Sequence, residues 1–364
     1  MIINAAAAVI DGELKESVSL EIHDGIIAEI RTTHPAPDLT IAGTLLPGFV
    51  DMHCHGGAGF SFSSKEANEI DSILSLHQLH GTTTQLASLV TEPIAELKNQ
   101  IRFLAPYVHS GKIAGIHLEG PYLSHEKCGA HNPSFLREPD LAEIAELLEV
   151  GEGTITMVTI APELPGAIAA IEFLASEGVI VAIGHSAASA AITKEAIDAG
   201  ASVVTHFYNG LPALDHRVPN ITSHVLLEPS LTLELILDGL HVSEEKASVP
   251  LNLIPQRVAL VSDAMAAAGS DDGAYQIGSL AVTVKDGKAT VDSTGSLAGS
   301  TLTLDKAFER LVAVHKYSLP QASYALSTLP ARTLGINYAG EIAIGSIADF
   351  VEVNNGKFIK THRM

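Results

Sequence analysis

Two histidines separated by one residue are the first feature of this sequence that could support chemistry. His53 and His55 follow an apolar run and precede two glycines in the stretch Pro47-Gly-Phe-Val-Asp-Met-His-Cys-His-Gly-Gly57. Side chains two apart on an extended strand point to the same side, so both imidazoles can face one point. Imidazole is a common ligand of zinc and other first-row metals. For the pair alone, two polar residues at a strand end remain the simpler interpretation, and further ligands must decide for a metal site.

Other histidines and carboxylates follow further apolar runs. Eight runs are predicted as strands of the central part of the chain: Thr44–Asp51, Thr82–Val90, Ile113–Leu118, Thr154–Ile160, Val179–Ile183, Ser202–His206, Leu231–Leu237 and Val258–Val261. Most are separated by helix-like segments, and eight such strands are what a (β/α)₈ barrel requires. Functional residues of such a barrel lie at the carboxyl ends of its strands. Besides His53 and His55, those ends carry Glu119, His185, His206, His241 and Asp263.

Each of these residues has a structural interpretation when it is considered alone. Glu119 could be a solvated turn carboxylate, His185 and His206 could be core histidines, and Asp263 could cap the segment after it. Together they offer the ligands of a hydrolytic metal and a spare carboxylate to move protons. The set therefore favours a metal-dependent hydrolytic site.

Four other residues with reactive or metal-binding side chains are interpreted structurally. His77 and His80 lie inside a predicted helix, away from the strand ends. Cys54 is expected to point away from the metal face into the core, and Cys128 is interpreted as an incidental surface thiol. Because these are the two cysteines of the chain, no disulfide framework is implied and a cytoplasmic location is expected.

The two ends of the chain differ in character from its middle. Residues 1–46 and 339–364 consist of short β-like runs with Asp-Gly or Asn-Gly turns. They predict a small β-sandwich domain formed from both termini, around a (β/α)₈ TIM-like barrel over residues 47–338. A further hairpin is predicted within Leu280–Val291. The fold class is therefore α/β.

Charge and hydropathy restrict the partners. A formal net charge of −21 argues against nucleic acid and anionic membrane surfaces, because binding to both requires clustered Lys and Arg. No apolar run reaches the roughly 18 residues that span a bilayer. The apolar stretch Met1–Ile10 has no basic residues and is interpreted as a first strand rather than a signal peptide.

Seven motifs in order carry a specific resemblance: PGFVDxHxHG, HLEGP, GHS, THxYN, DGxH, SDA and LAGS. The sequence resembles the N-acetylglucosamine-6-phosphate deacetylases of the amidohydrolase superfamily from end to end, including the split β domain. The resemblance implies a metal-dependent hydrolase that removes acetate from N-acetylglucosamine 6-phosphate to give glucosamine 6-phosphate.

The resemblance also implies a set of metal ligands. Glu119, His185 and His206 would hold the principal ion, usually zinc or iron, and Asp263 would be the catalytic acid/base. Some relatives lack the two histidines of the HxH motif and carry one ion, whereas His53 and His55 are present here. One or two divalent ions per chain are therefore expected, with Zn²⁺ as the first candidate and Fe²⁺, Co²⁺ and Mn²⁺ as alternatives.

Substrate-binding positions follow from the same resemblance. Asn209 and Gly210 would donate backbone N–H groups to the phosphate, and Arg217 would reach the neighbouring active site of a homodimer. Without the resemblance, these positions are ordinary turn and surface residues. The full set is Ala130, His131, Asn209, Gly210, Arg217, Asp238, Gly239, Leu240, His241, Leu297, Ala298 and Gly299.

Alternative functions remain open at this point. The same site could prefer the galactosamine epimer or hydrolyse a different cyclic amide. In another class, the chain could be a non-catalytic assembly protein that retained the barrel; the complete ligand set and Asp263 argue against this.

Overall fold

The computed structural model describes residues 1–364, with two main sheets and two smaller ones. The strands are β1 (Ile2–Ile10), β2 (Glu13–His23), β3 (Ile26–Thr32), β4 (Leu39–Pro47), β5 (Phe49–Asp51), β6 (Gly56–Gly57), β7 (Phe60–Ser61), β8 (Thr82–Val90), β9 (Gly115–Glu119), β10 (Ile155–Ile160), β11 (Ile180–Ile183), β12 (Ala201–Val204), β13 (Thr232–Ile236), β14 (Val258–Val261), β15 (Gly273–Ile277), β16 (Leu280–Lys285), β17 (Lys288–Val291), β18 (Asp349–Asn354) and β19 (Lys357–Arg363). The α-helices are α1 (Ala67–Leu79), α2 (Ile94–His109), α3 (Leu141–Gly151), α4 (Ala167–Ser176), α5 (Ala190–Asp198), α6 (Ile221–Leu227), α7 (Glu244–Leu253), α8 (Leu304–Ala313), α9 (Leu319–Ser323) and α10 (Leu329–Thr333). None of them is both long and apolar enough to cross a membrane.

The central sheet is a nearly closed barrel of eight parallel strands in the order β5-β8-β9-β10-β11-β12-β13-β14. The first and last strands are linked where they end, because Asp263 N–H donates to the His53 carbonyl at 2.8 Å. Ser262 N–H also donates to the Asp51 carboxylate at 3.2 Å. Side chains of the barrel strands are mostly buried, as expected when helices cover the outside and side chains fill the interior. The predicted fold class is confirmed.

A separate six-stranded sheet joins both ends of the chain, in the order β19-β18-β4-β1-β2-β3. Its apolar face has its own core, in which Ile3, Leu20, Ile27 and Phe350 are fully buried. β1, in the middle of the sheet, is buried along most of its length, whereas the edge strand β3 is largely exposed. The predicted limits of the two domains remain a prediction.

The prediction of one strand over Thr44–Asp51 is wrong. β4 pairs with β18 in the terminal sheet and ends at Pro47, whereas β5 pairs with β8 in the barrel. Gly48 separates them and leaves no room for a side chain, because a Cβ atom there would lie 2.0 Å from Thr83 Oγ1. Both cores require apolar residues, so the change of sheet leaves no break in the hydrophobic pattern. The predicted hairpin is present as β16 and β17, and β15 adds a third strand.

Candidate active site

A cavity of about 210 Å³ lies at the carboxyl ends of the barrel strands. Most of the sequence-predicted site residues line it: His55, Glu119, Ala130, His131, His185, His206, Asn209, Gly210, His241, Asp263, Leu297 and Gly299. The structure adds Gly129, Ile277 and Ser296 to the lining. The hairpin region thus closes one side of the cavity, which the sequence pattern did not indicate.

The remaining predicted residues do not line this cavity. His53 is fully buried, with its ring against that of His55 at a centroid distance of 4.9 Å. Asp238 supports the lining, because its carboxylate lies 2.6 Å from His241 Nδ1. Arg217 is exposed and its Nε donates to His216 at 3.1 Å. The others outside the lining are Gly239, Leu240 and Ala298.

Glu119, His185 and His206 bring three ligand atoms to one point. Glu119 Oε1 lies 2.9 Å from His206 Nε2 and 3.2 Å from His185 Nε2, and the two nitrogens are 3.1 Å apart. Ligand atoms around a tetrahedral zinc ion with bonds of about 2.0–2.1 Å are roughly 3.3 Å apart. The three atoms therefore have the separations that one such ion requires after a small expansion.

A second group of ligand atoms adjoins the first. His53 Nε2 and His55 Nε2 are 3.0 Å apart, and Glu119 Oε2 lies 3.1 Å from His55 Nε2. Asp263 Oδ1 is 3.4 Å from His53 Nε2 and 3.3 Å from His55 Nε2. One oxygen of Glu119 therefore faces each group, so that this carboxylate could contribute a ligand atom to either group.

Hydrogen bonds at Nδ1 orient three of these four imidazoles. The Nδ1–H groups of His185, His55 and His53 donate respectively to the Lys127 carbonyl at 2.7 Å, the Ser88 carbonyl at 3.1 Å and the Glu234 carboxylate at 2.9 Å. Since these acceptors have no hydrogen to offer, each ring carries a proton on Nδ1, and Nε2 is the nitrogen left to bind a metal ion in the site. His206 differs, because its buried Nδ1 has no partner.

His131 has the opposite tautomer. Thr91 N–H donates to His131 Nδ1 at 3.3 Å, so this nitrogen is an acceptor and the proton of the neutral ring is on Nε2. Burial lowers the pKa of His131 to about 4, against the attraction of Glu119, and the ring is neutral at neutral pH. Its Nε2–H points towards Glu119 Oε2 at 3.3 Å. His131 therefore presents a hydrogen-bond donor to the cavity rather than a metal ligand.

The histidines and carboxylates shift one another's pKa values. Burial acts to lower the pKa of His55, but Asp263 and Glu119 outweigh it and raise that pKa to about 9. Burial acts to raise the pKa of Glu119, but His131 and His53 hold it well below its usual range. The pKa of Asp263 is likewise held low, mainly by His53. Two buried carboxylates are thus kept ionised by the hydrogen-bond donors and the positive charge of the surrounding histidines, a role that a divalent cation can take over.

Three cavity-lining residues have left-handed backbone conformations. The φ angles are +47° at His185, +26° at His206 and +47° at Asp263. Such conformations cost about 1–3 kcal/mol each for residues other than glycine and persist where surrounding contacts impose them. At Asp263 the main chain is held on both sides, since its N–H donates to His53 and its carbonyl accepts from Ser300 N–H at 2.7 Å. These bends turn the side chains from the strands into the cavity.

Comparison with known proteins adds a family to this geometry. A family model described as the amidohydrolase family matches residues 44–361. The chain belongs to the amidohydrolase family. The candidate metal ligands at the strand ends therefore occur in a member of a hydrolase family. The resemblance to the amidohydrolase superfamily inferred from the motifs is confirmed.

Individual relatives cover nearly the whole amidohydrolase chain. It is 34% identical over 94% of its length to N-acetylgalactosamine-6-phosphate deacetylase of Escherichia coli O157:H7, covering 92% of that protein. It is also 34% identical over 85% of its length to N-acetylglucosamine-6-phosphate deacetylase of Vibrio furnissii, covering 79% of that protein. The structure of an Asp-to-Ala variant of N-acetyl-D-glucosamine-6-phosphate deacetylase from Mycobacterium smegmatis, in complex with N-acetyl-D-glucosamine-6-phosphate, matches with a TM-score of 0.96. That match has 39% identity and covers 100% of this chain and 97% of the other.

The loop after β12 requires one correction in this amidohydrolase. Asn209 was expected to donate its backbone N–H to a phosphate, but that N–H donates to the His206 carbonyl at 2.9 Å. The reason is local, because the tight turn after His206 brings this carbonyl and N–H together. The N–H of Gly210 has no such partner, and Gly210 lies against the His185 ring, where a Cβ would be 3.0 Å from Nδ1. Gly210 is therefore the main-chain donor available here.

Sequence reasoning missed four buried polar residues of the amidohydrolase site. Glu234 contacts His53, and Ser88 Oγ bonds His117 Nδ1 at 2.9 Å. The other ring nitrogen of His117, Nε2, contacts Thr159 Oγ1 at 2.8 Å, so a series of hydrogen-bonded side chains runs through the barrel interior. A signal existed for Glu234, since an acidic residue in the apolar run Leu231–Leu237 requires an internal partner.

Proposed function

We propose that this amidohydrolase removes acetate from N-acetylglucosamine 6-phosphate and releases glucosamine 6-phosphate. The observation that carries the proposal is the convergence of Glu119, His185 and His206 on one point, with Asp263 and His131 facing the same cavity. The substrate class is supported by relatives of 34–39% identity whose names specify amino-sugar 6-phosphates.

In the proposed site, Glu119, His185 and His206 would hold the principal metal ion. Their nitrogen and oxygen donors suit Zn²⁺ best, and Fe²⁺, Co²⁺ and Mn²⁺ accept the same ligands. A bound ion of this kind supplies Lewis acidity and lowers the pKa of a coordinated water. His53 and His55 are the proposed ligands of a second ion, with Glu119 between the two positions.

Asp263 is the proposed acid/base of the reaction. It lines the cavity, and its carboxylate would take a proton from the attacking water and pass it to the departing nitrogen. The Nε2–H of His131 would donate to the acetyl oxygen as negative charge develops there. His241, fixed by Asp238, would orient the sugar.

The phosphate would be bound where Gly210 offers a free main-chain N–H. Arg217 is exposed and does not line the cavity of its own chain, and we propose that it reaches the site of a partner subunit in a homodimer. Buried donors left unpaired by an unphosphorylated sugar would cost about 1–3 kcal/mol each. This predicts preference for phosphorylated substrates in a cytoplasmic enzyme.

Acetate release tests this function. Purified protein loaded with zinc is incubated with N-acetylglucosamine 6-phosphate and, in parallel, with N-acetylglucosamine. We expect release from the phosphorylated sugar, strongly reduced release from the other, and none from metal-stripped protein. No acetate above the metal-stripped control would refute the proposal.

A second substrate has specific support. Relatives with the same 34% identity bear the galacto name in one case and the gluco name in the other. Measuring kcat/KM for the two epimers as 6-phosphates decides between them, and a higher value for the galactosamine substrate would replace the proposal above. A cyclic amide such as dihydrouracil in the same series tests the remaining hydrolytic alternative.

The number of metal ions is tested separately by elemental analysis. If His53 and His55 are ligands, loaded protein is expected to contain about two zinc ions per chain, and a His53→Gln/His55→Asn variant about one. A His109→Gln variant, altered on the exterior helix α2, serves as the control. One ion in both the parent and the double variant would show that the pair does not bind metal.

A further inference from the structure

Glu234 lies in the barrel interior but does not line the cavity. It belongs to β13, is fully buried, and its Oε2 has two partners. One is the His53 ring at 2.9 Å from Nδ1, and the other is the backbone N–H of His206 at 3.1 Å. A single carboxylate oxygen therefore contacts one residue from each of the two ligand groups.

We propose that Glu234 is a positioning residue that prepares both metal positions at once. It would do so by selecting the tautomer of His53 and by fixing the main chain at His206. The inference rests on the metal-binding roles proposed above. It adds a residue from the seventh barrel strand, which contributes no ligand of its own.

The effect on His53 follows from the direction of the hydrogen bonds. Because His206 N–H can only donate, Glu234 Oε2 is an acceptor, and the ring nitrogen that shares this oxygen must donate to it. His53 therefore carries its proton on Nδ1 and directs the lone pair of Nε2 towards His55 Nε2 and Asp263. With the proton on Nε2 instead, His53 could not bind a metal there.

The effect on His206 follows from what its ring lacks. His185, His55 and His53 each have an Nδ1 partner, whereas Nδ1 of His206 has none. The position of His206 depends on its main chain, which has a left-handed φ of +26° and donates its N–H to Glu234. Removing this acceptor would release the strained residue and misplace a ligand of the principal metal.

A role in folding alone would not favour this side chain. Glu234 lies in an apolar strand, and its second oxygen, Oε1, is buried without a partner. An apolar residue would avoid burying an unpaired oxygen. Partners of metal-binding histidines are, in contrast, groups of this kind, and their replacement typically lowers metal affinity about 10–100-fold.

Zinc affinity of two variants tests the proposal. Glu234→Gln retains one oxygen that can accept from both His53 Nδ1–H and the main-chain N–H of His206. Glu234→Leu removes the acceptor and introduces an apolar side chain of similar size. We expect Glu234→Leu to weaken zinc binding at least about tenfold in chelator-buffered titrations, and Glu234→Gln to restore most of the parental affinity. Unfolding of the metal-free proteins by urea checks that both variants fold.

Three results would overturn the inference or limit it. Parental zinc affinity in folded Glu234→Leu refutes it, and an equal loss in Glu234→Gln refutes the hydrogen-bond explanation. In the His53→Gln background, Glu234→Leu is expected to cause a smaller loss, since only the His206 contact remains; an equal loss refutes the tautomer step. These titrations use no substrate, so normal zinc binding without acetate release would refute the proposed function alone.

Discussion

Replacement of Asp263 by Asn tests the proposed chemistry most directly. The substitution preserves the shape of the side chain and removes its capacity to accept and return a proton. The main-chain contacts to His53 and Ser300 do not involve the side chain, and Asn tolerates the left-handed conformation that Asp263 has at φ +47°. The variant is therefore expected to fold and to keep the principal ligand group intact.

The size of the effect follows from what else the cavity offers. Glu119 is the other carboxylate of the lining, but Oε1 faces His185 and His206 while Oε2 faces His55. No second carboxylate is free to move protons, so the full contribution of a general acid/base is lost. We expect kcat to fall by about 10²–10⁴-fold, equivalent to about 2.7–5.4 kcal/mol at 1.36 kcal/mol per tenfold.

The assay compares kcat, KM and bound zinc in the parent, Asp263→Asn and a control, Asp198→Asn. Asp198 is exposed at the end of α5 and outside the cavity, so its variant is expected to match the parent. In Asp263→Asn, KM and zinc content should change much less than kcat. Near-parental kcat would refute the acid/base role, and loss of zinc together with activity would make Asp263 a ligand instead.

Two further predictions concern stability. Burial acts to raise the pKa of Asp238 and to lower that of His241, but the contact between the two side chains outweighs it, so the pKa of Asp238 is lowered and that of His241 is raised. The raised pKa of His241 stabilises the fold fully below about pH 6.5, and the lowered pKa of Asp238 stabilises it fully above about pH 4. Both contributions are present between these values, so the loss of stability in His241→Gln should be largest there in urea titrations. A loss that does not vary with pH would refute the pairing. Gly56→Ala should cost about 1–3 kcal/mol, because its Cβ would lie 2.2 Å from the Phe60 carbonyl oxygen. Gly273→Ala should change stability by less than about 0.5 kcal/mol, because its Cβ would make an ordinary contact at 3.8 Å with the Tyr275 ring. Equal stability of the two glycine variants would contradict this.

Local signals located seven of the eight barrel strands but not every helix. β8 and β14 have the predicted bounds, Thr82–Val90 and Val258–Val261, because long or continuous apolar runs identify buried strands. The helices α6 and α7 had no such signal. α6 is short, and α7 contains Pro250 and few apolar residues, so both depend on their N-terminal caps and on packing.

The residue types at the strand ends determined most of the candidate site. Parallel strands of a barrel end at one face, so Glu119, His185, His206 and Asp263 had to meet once the strands were recognised. The barrel topology alone brings these four side chains together, although they are far apart in the chain.

Tertiary structure alone decided the features that depend on long-range partners. The tautomer of His131 is set by an N–H group 40 positions away, and His53 is oriented by Glu234 across 181 positions. The change of sheet at Gly48 is equally invisible, because both sheets bury apolar side chains on either side of it. Sequence patterns specify which residues are buried and where strands end, whereas hydrogen-bond direction and the choice of neighbour depend on atoms that only the folded chain brings into contact.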